Sequence, residues 1–469
     1  MLIYEYKLRL SRAQQAAIDE AIRVTQFIRN KALRFWMDGR SVTANDLQVL
    51  CSHLAQEYPF AAQLNSQARQ AAAARAWAAI ERFYTNCREQ RPGKKGYPRF
   101  QRDCRSVEYK QTGWQLDEEG KRLTLTDGCG IGRVRLIGAR DLTTFPVEQI
   151  KRVRLLRRAD GSYAQFVLQV ERRVSHVPSG SVVGIDVGIA AYVTDSEGHA
   201  VANPRFIQRA EAQLKRYQRR LSRRSVSHKQ GKKPKTNHAA RQRARHNKYP
   251  KDPATPGAPP AQPAPPAPSP AAPRQSANWG KAKQWVAKAY LTLQRQREDF
   301  ARKTASALIS SHDLIALEDL QVRNLVRNRR LAEAISDAGW SRLRWWVEYY
   351  GRLQGVSVVA VPPQHTSQDC SGCGRRVRKS LSVRTHVCPH CGLILDRDHN
   401  AAMMILQRGL EVARADGRWP HEAHGTSGRT GTVGHTGTER LGTAGLLRQG
   451  ASPSVAPAGG SKNLPDVSG

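Results

Sequence analysis

Apolar and polar positions alternate over residues 3–9, the period of a half-buried strand. Ser11 follows as a helix cap, and Gln14, Ala17, Ile18, Ile22, Phe27 and Ile28 carry a helical pattern on toward Trp36. An Ala- and Gln-rich stretch from about Ala61 to Cys87 predicts a second helix. It ends in the segment Arg91 to Phe100, where two glycines, two prolines and four basic residues predict a rigid cationic turn. Short strands are predicted at Ser106–Lys110, Arg122–Leu125, Gly132–Leu136, Val153–Arg157 and Ala164–Glu171. The first third of the chain therefore reads as helix combined with a small β-barrel or sheet.

The pattern changes at Val182. Val182–Asp186 is a short apolar strand, and Ala190–Asp195 is its hairpin neighbour. Residues 205–224 predict a helix crowded with Arg and Lys, and residues 225–248 stay basic but lose their period. The Pro/Ala run at 249–275 can neither be helical nor pack a core, which predicts a polyproline-like or disordered linker. Helix returns over about 279–311, with Val286, Tyr290, Leu293, Phe300 and Ala307 on one face. A strand at His312–Glu318, a helix over 330–353 striped by Leu343, Trp346, Val347 and Tyr350, and a strand at Val356–Val361 follow. A last helix is expected from about Asp398 to Gln407. Past about residue 415 the chain is Gly, Thr, Ser and Pro, which predicts a disordered tail.

Length and charge narrow the partners. A chain of 469 residues should form roughly two to four domains. Its 76 Lys and Arg against 39 Asp and Glu give a net charge of +37. Such an excess draws the protein to polyanions, with nucleic acid ahead of a membrane. No basic amphipathic helix with a bulky apolar face, no lipidation signal, no apolar run of spanning length and no signal-peptide core is present in the sequence. Four scattered cysteines, Cys51, Cys87, Cys104 and Cys129, fit a reducing compartment, so a cytoplasmic protein without membrane partner or small-molecule substrate is expected.

The other four cysteines form two pairs, Cys370-x2-Cys373 and Cys388-x2-Cys391, fourteen residues apart. Two-residue spacing lets both sulfurs of a pair reach one ion, so one structural four-thiolate Zn²⁺ ribbon is expected. Gly374 and Gly392 follow the pairs, where a side chain is expected to clash with the knuckle. Arg375, Arg376, Arg378, Lys379 and Arg384 lie between them. His365, His386 and His390 are read as surface residues, because four thiolates already fill a tetrahedron.

Three acidic residues stand at the ends of predicted core elements. Asp186 ends one strand, Glu318 ends another, and Asp398 opens the last helix. Hard oxygen ligands from separate elements are what two catalytic Mg²⁺ ions about 4 Å apart require for phosphodiester cleavage. The order strand-Asp, strand-Glu, helix-Asp is the RNase H-like nuclease layout. Gly184 and Gly188 are expected to leave room for a phosphate backbone. Asp195 and Asp396 are read as turn or cap residues, and Asp319 as facing away from Glu318. Lys94, Lys95, Tyr97, Arg99, Arg219, Arg220, Arg223 and Arg224 are candidate nucleic-acid contacts; Trp114, Tyr97, Trp340 and Trp345 are candidate base-stacking residues, and Trp346 is read as helix core.

These motifs resemble those of the TnpB family, RNA-guided nucleases of insertion sequences and relatives of type V CRISPR effectors. Gly184-Ile-Asp186-Val-Gly188 is similar to the first RuvC motif, Ala316-Leu-Glu318-Asp-Leu320 to the second, and Asp396-Arg-Asp398-His-Asn400 to the third. Gln364 to Gly374 resembles the entry to the family's zinc ribbon; Gly96 to Phe100 and Ile335 to Trp340 are also similar. The resemblance covers roughly residues 1–410. It implies an α/β plus β-barrel, multidomain fold. A β-barrel wedge (1–10 and 90–178) would hold an inserted helical recognition domain (11–89). A RuvC-like nuclease (179–362) would be completed by a zinc ribbon (363–395) and a last helix (396–412), before a tail at 413–469. It further implies catalysis by Asp186, Glu318 and Asp398, a guide RNA, a double-stranded DNA target and a role accessory to transposition. Guided binding without cleavage, and a DNA-joining transposase, are the alternatives.

Overall fold

The computed structural model describes residues 2–39, 41–172, 174–224, 276–380 and 382–419. The aperiodic basic stretch at 225–248, the proline run at 249–275 and the predicted tail beyond residue 419 lie outside the described residues. The chain divides into two compact units, Met1–Arg172 with Ala210–Thr292, and Arg173–Arg209 with Leu293–Gly469.

The first unit opens with β1 (Leu2–Arg9) and α1 (Arg12–Asp38). Ser11 accepts from the Gln14 backbone and Gln14 returns a bond to the Ser11 N–H, a capping box that fixes where the helix begins. Next come α2 (Ala44–Glu57), the single turn α3 (Pro59–Ala62) and α4 (Ser66–Arg88). The helix α2 was absent from the sequence reading, although Thr43 and Asp46 form a second capping box ahead of Leu47, Cys51 and Leu54, which are buried at helical spacing.

Six more strands follow: β2 (Ser106–Lys110), β3 (Trp114–Leu116), β4 (Arg122–Leu125), β5 (Arg133–Ile137), β6 (Ile150–Arg158) and β7 (Gly161–Leu168). All seven pair antiparallel in the order β2-β6-β7-β1-β5-β4-β3. The pairing is linear: among the described residues β2 and β3 are edges, so hydrogen bonding does not close the expected barrel. Helices and sheet share one core, in which Ile18, Ile28, Leu33, Leu47, Ile80, Tyr109 and Phe166 are all sealed from solvent. Trp114 is buried there too, edge-on to Phe166, which withdraws it as a base-stacking candidate. Glu108 is buried on β2 and is satisfied by Arg152 (3.1 Å) and Arg154 (2.7 Å) across the β2–β6 pair.

The second unit is built on a five-stranded sheet: β8 (Val182–Asp186), β9 (Ala191–Asp195), β10 (Ala200–Ala202), β11 (Leu314–Glu318) and β12 (Ser357–Val361), in the order β10-β9-β8-β11-β12. Strands β8, β11 and β12 are parallel, while β9 returns antiparallel as the hairpin partner of β8. Parallel strands must be covered on both faces, and these are. Val183, Ile185, Ile315 and Leu317 pack under Ala301, Ala305, Leu343 and Val347; Leu314, Ala316, Val359 and Val361 pack under Ile405 and Ala413.

The helices that supply those covers follow from the same apolar spacing. They are α5 (Phe206–Arg224) and α6 (Ala277–Ser311), within which the division between units falls, then α7 (Val322–Leu325), α8 (Ala332–Ala338) and α9 (Trp340–Gln354). The single helix expected at 330–353 breaks at Gly339, whose φ of +68° ends one helix and starts the next. Asp337 is buried beside this break. It accepts from the Ile207 N–H (2.9 Å) and from Arg297 (2.8 Å), tying α5 and α6 to α8. A two-stranded ribbon, β13 (Thr385–Val387) and β14 (Ile394–Asp396), leads into α10 (Arg397–Ala415), two turns longer than expected.

Candidate functional site

Asp186 and Glu318 leave the carboxyl ends of two hydrogen-bonded parallel strands, just beyond the paired residues Ile185 and Leu317. The mouths of such strands are where open α/β sheets bind ligands. Asp398 reaches the same place from the first turn of α10. Asp396 is the cap of that helix, accepting from the N–H groups of Asp398 (2.8 Å) and His399 (3.2 Å). Asp396 is therefore occupied in the way expected of it. Asp195 likewise holds a turn through the N–H groups of Glu197 and His199, and Asp319 is turned away onto Arg344.

The fold holds Asp186 within electrostatic reach of the other two carboxylates. Burial pushes the Asp186 carboxyl up to about 8, and the charges of Glu318 and Asp398 add to the effect. Glu318 is also raised by burial, against a hydrogen bond from Thr366 Oγ1 (2.5 Å) and the charge of Arg408. Asp398 is gripped by Arg397 through Nε (3.0 Å) and Nη2 (2.9 Å) and by Arg384 (3.3 Å). The three do not form a cage for one ion: among the described residues only the cysteine cluster gathers three or more ligand atoms within 4.8 Å. Three carboxylates on separate elements, with Asp186 buried and repelled by the other two, do fit a pair of hard divalent cations, which would relieve that repulsion and compete with the arginines for Asp398.

One of the two glycines at this site has a different job from the expected one. A Cβ on Gly184 would lie 2.2 Å from Ala402 O and 2.6 Å from Leu406 N, so Gly184 lets α10 seat on β8 and leaves no space for phosphate. Gly188 is the one beside the carboxylates, with a built Cβ 3.9 Å from Asp398 Oδ2.

The four sulfurs converge, with Cys370–Cys391 and Cys373–Cys388 each 3.6 Å apart. A tetrahedron with Zn–S near 2.3 Å has edges of about 3.8 Å, so the cluster fits zinc. Burial opposes ionisation of Cys388, while the N–H groups of Cys391 and His390 lower its thiol; Cys391, sharing a proton with the other sulfurs, is raised in turn. Gly374 and Gly392 have φ of +71° and +75°. A Cβ on either would meet nothing within 4 Å, so backbone conformation rather than a clash requires glycine. His386 is not a surface residue: it is fully buried, with Nδ1 2.6 Å from Lys379 Nζ.

Sequence reasoning missed the groups that join this cluster to the carboxylates. Asn400 donates to Asp369 O (2.8 Å) and accepts from Ser371 N (3.0 Å); Gln407 donates to Ser371 O (2.8 Å); Arg408 pairs with Asp369 (2.8 Å). Asn400 stood in the third motif without a role assigned to it; for Gln407 and Arg408 the signal was their spacing from it along one face of the last helix.

In the first unit, Lys94 and Arg99 are exposed in the loop after α4, and Lys95 donates to Arg91 O (2.5 Å). Tyr97 is 54% exposed but packs on Trp36 (5.6 Å) and Phe83 (5.2 Å). Arg219, Arg220 and Arg223 are exposed on α5, where Arg220 and Arg224 lie 5.5 and 5.9 Å from the centre of the Trp285 ring.

The chain matches two family models. Residues 340–405 match a domain described as "Cas12f1-like, TNB domain", and residues 165–250 and 272–329 match "Probable transposase". A "Putative RNA-guided DNA endonuclease" of Streptomyces pristinaespiralis is 32% identical over 253 residues, 53% of this chain and 51% of that protein. "Putative RNA-guided DNA endonuclease InsQ" of Escherichia coli K12 is 26% identical over 350 residues, 71% of this chain and 73% of that one. A "TnpB-like protein" of Methanocaldococcus jannaschii is 28% identical over 125 residues, 25% of this chain and 45% of that one. The chain thus spans about half the length of the first of these relatives. By these matches the chain is similar to transposase-associated, TnpB-like proteins. No helix among the described residues is long and apolar enough to cross a membrane.

Proposed function

We propose that this protein is an RNA-guided DNA endonuclease of an insertion sequence, accessory to transposition, acting through a RuvC-type, RNase H-like centre. The observation that carries the reading is the electrostatic coupling of Asp186 to Glu318 and Asp398, three carboxylates from two parallel strand ends and a helix start. Two Mg²⁺ ions, when bound there, supply Lewis-acid activation of water and stabilisation of the leaving oxygen. Asp186 and Glu318 present oxygens from rigid strand ends, and Thr366 fixes the Glu318 carboxylate. Asp398, now paired with Arg384 and Arg397, would supply the third carboxylate to bound cations from the first turn of α10. The guide RNA and the double-stranded DNA target are held by the basic surface, including Lys94, Lys95, Tyr97, Arg99, Arg219, Arg220, Arg223 and Arg224, and one structural zinc ion sits in the cysteine ribbon. The wedge (1–10 and 90–178), recognition (11–89), nuclease (179–362 and 396–412) and ribbon (363–395) boundaries belong to the same reading, as does a cytoplasmic location.

The test joins RNA and cleavage. A discrete RNA species should co-purify with the protein, and duplex DNA matching it should be cut in Mg²⁺. Asp186→Ala should reduce cutting by about a thousandfold or more while leaving the RNA bound. Undiminished cutting by that variant overturns the assignment. Footprinting without any nick by the natural sequence favours the guided repressor, a reading consistent with the tight arginine grip on Asp398.

A further inference from the structure

Next to the carboxylates lies a partly open pocket that metal ligation does not use. It measures about 190 Å³, and its walls are Leu317, Leu320, Val322, Leu343 and the indoles of Trp340 and Trp345. Glu318 forms part of its lining, so the pocket adjoins the proposed scissile position. Drug-sized ligands fill about 300 Å³ or more, so this pocket has room for a single planar ring system and not for a whole nucleotide.

Its charge excludes a phosphate. Arg344, the cationic residue of the lining, is held by Glu348 (2.8 Å) and by Asp319, and with Glu318 also present the pocket offers no free positive charge. Its walls are rigid. Trp345 is stacked parallel on Tyr349, 6° between planes and 5.4 Å between centres, although it is 44% exposed. Trp340 is anchored through Nε1 to Gly188 O (3.3 Å), in the loop that also borders Asp398. Preformed, uncharged, aromatic-walled and one ring in size, the pocket matches a nucleobase.

We propose that this pocket receives one unstacked base of the DNA strand being cut, and so sets which phosphate is presented to the carboxylates. The identity of the strand rests on the nuclease reading; occupancy by a base does not. The experiment uses full-length protein with its co-purified RNA and short single-stranded DNA carrying a fluorescent adenine analogue at each position in turn, without added divalent cation. Quenching is expected at one or two consecutive positions only. It should be lost in Ser341→Trp, which fills the pocket from an exposed lining position, and weakened in Trp345→Ala; equal melting temperatures establish that both fold.

In Mg²⁺, removing the base at the quenched position should slow cutting by about 5- to 100-fold, the scale of one stacked base. The same lesion should have no further effect in Ser341→Trp. A flat scan, or a quench unchanged in Ser341→Trp, overturns the proposal and leaves the pocket to the chain's own apolar side chains. A positional quench with no cutting by any form refutes the nuclease reading instead.

Discussion

Asp186 is a carboxyl whose proton the fold holds. Its ordinary value of 3.8 rises to about 8 through burial and two neighbouring carboxylates, so the folded state binds the proton more tightly than the unfolded chain does. The sign follows from linkage. The stabilisation is complete at pH values below about 4 and is lost as the pH climbs through about 8. Cation-free protein should therefore melt progressively lower between those values, with a slope no steeper than about 1.4 kcal/mol per pH unit for one group. Subtracting the melting profile of Asp186→Asn isolates the contribution, since the amide does not titrate. Added Mg²⁺ should flatten the slope by displacing the proton. A wild-type profile parallel to that of the variant would show that the group titrates normally. The three candidate carboxylates were legible in the sequence because an acid at a strand end or helix start stands out locally. Their clamps were not: Thr366 lies 48 positions from Glu318 and Arg384 lies 14 from Asp398, and nothing local ties either pair together.

At the scale of elements, the strand-and-helix order was largely readable, because parallel strands covered on both faces are short apolar runs that stand out from basic surroundings. Val182–Asp186 and Ser106–Lys110 form over the residues their patterns predict. What failed was punctuation. The helix at Ala44–Glu57 hid behind a half-polar sequence, and Gly339 split a helix that periodicity alone would continue. The seat of α10 on the sheet depends on two absent side chains. A Cβ on Gly184 would strike the Ala402 carbonyl at 2.2 Å, and one on Gly409 would meet Ala316 Cβ at 2.3 Å. Gly184→Ala has backbone for its obstacle, so the helix must move. The expected cost is at least the roughly 1–3 kcal/mol of core overpacking. Because α10 carries Asp398, the same variant should weaken Mg²⁺ binding measured by calorimetry. A variant with unchanged melting temperature and cation affinity would mean that the helix seat tolerates the methyl group and does not position the site.

Across the second unit, the cysteine cluster and the carboxylates are mechanically one structure. The knuckle residues Asp369 and Ser371 are bonded to Asn400, Gln407 and Arg408 of α10, and Arg384, from the segment between the cysteine pairs, reaches Asp398 itself. Metal that gathers the four thiolates therefore also holds the start of the helix that presents the third carboxylate. Structural zinc contributes roughly 10–16 kcal/mol to small domains that fold around it. Here the ribbon is anchored on a preformed sheet, so its loss should loosen one end of the unit without unfolding the whole. Cys388→Ser should abolish stoichiometric zinc and lower the melting temperature. Cutting should fall with it, although every carboxylate is intact. Asn400→Ala, which leaves all four thiolates in place, should retain zinc yet reproduce part of the loss in cutting, and combining the two changes should cost less than their sum because they break one connection. Full activity in a zinc-free Cys388→Ser protein would separate the two centres and make the ribbon a passive appendage.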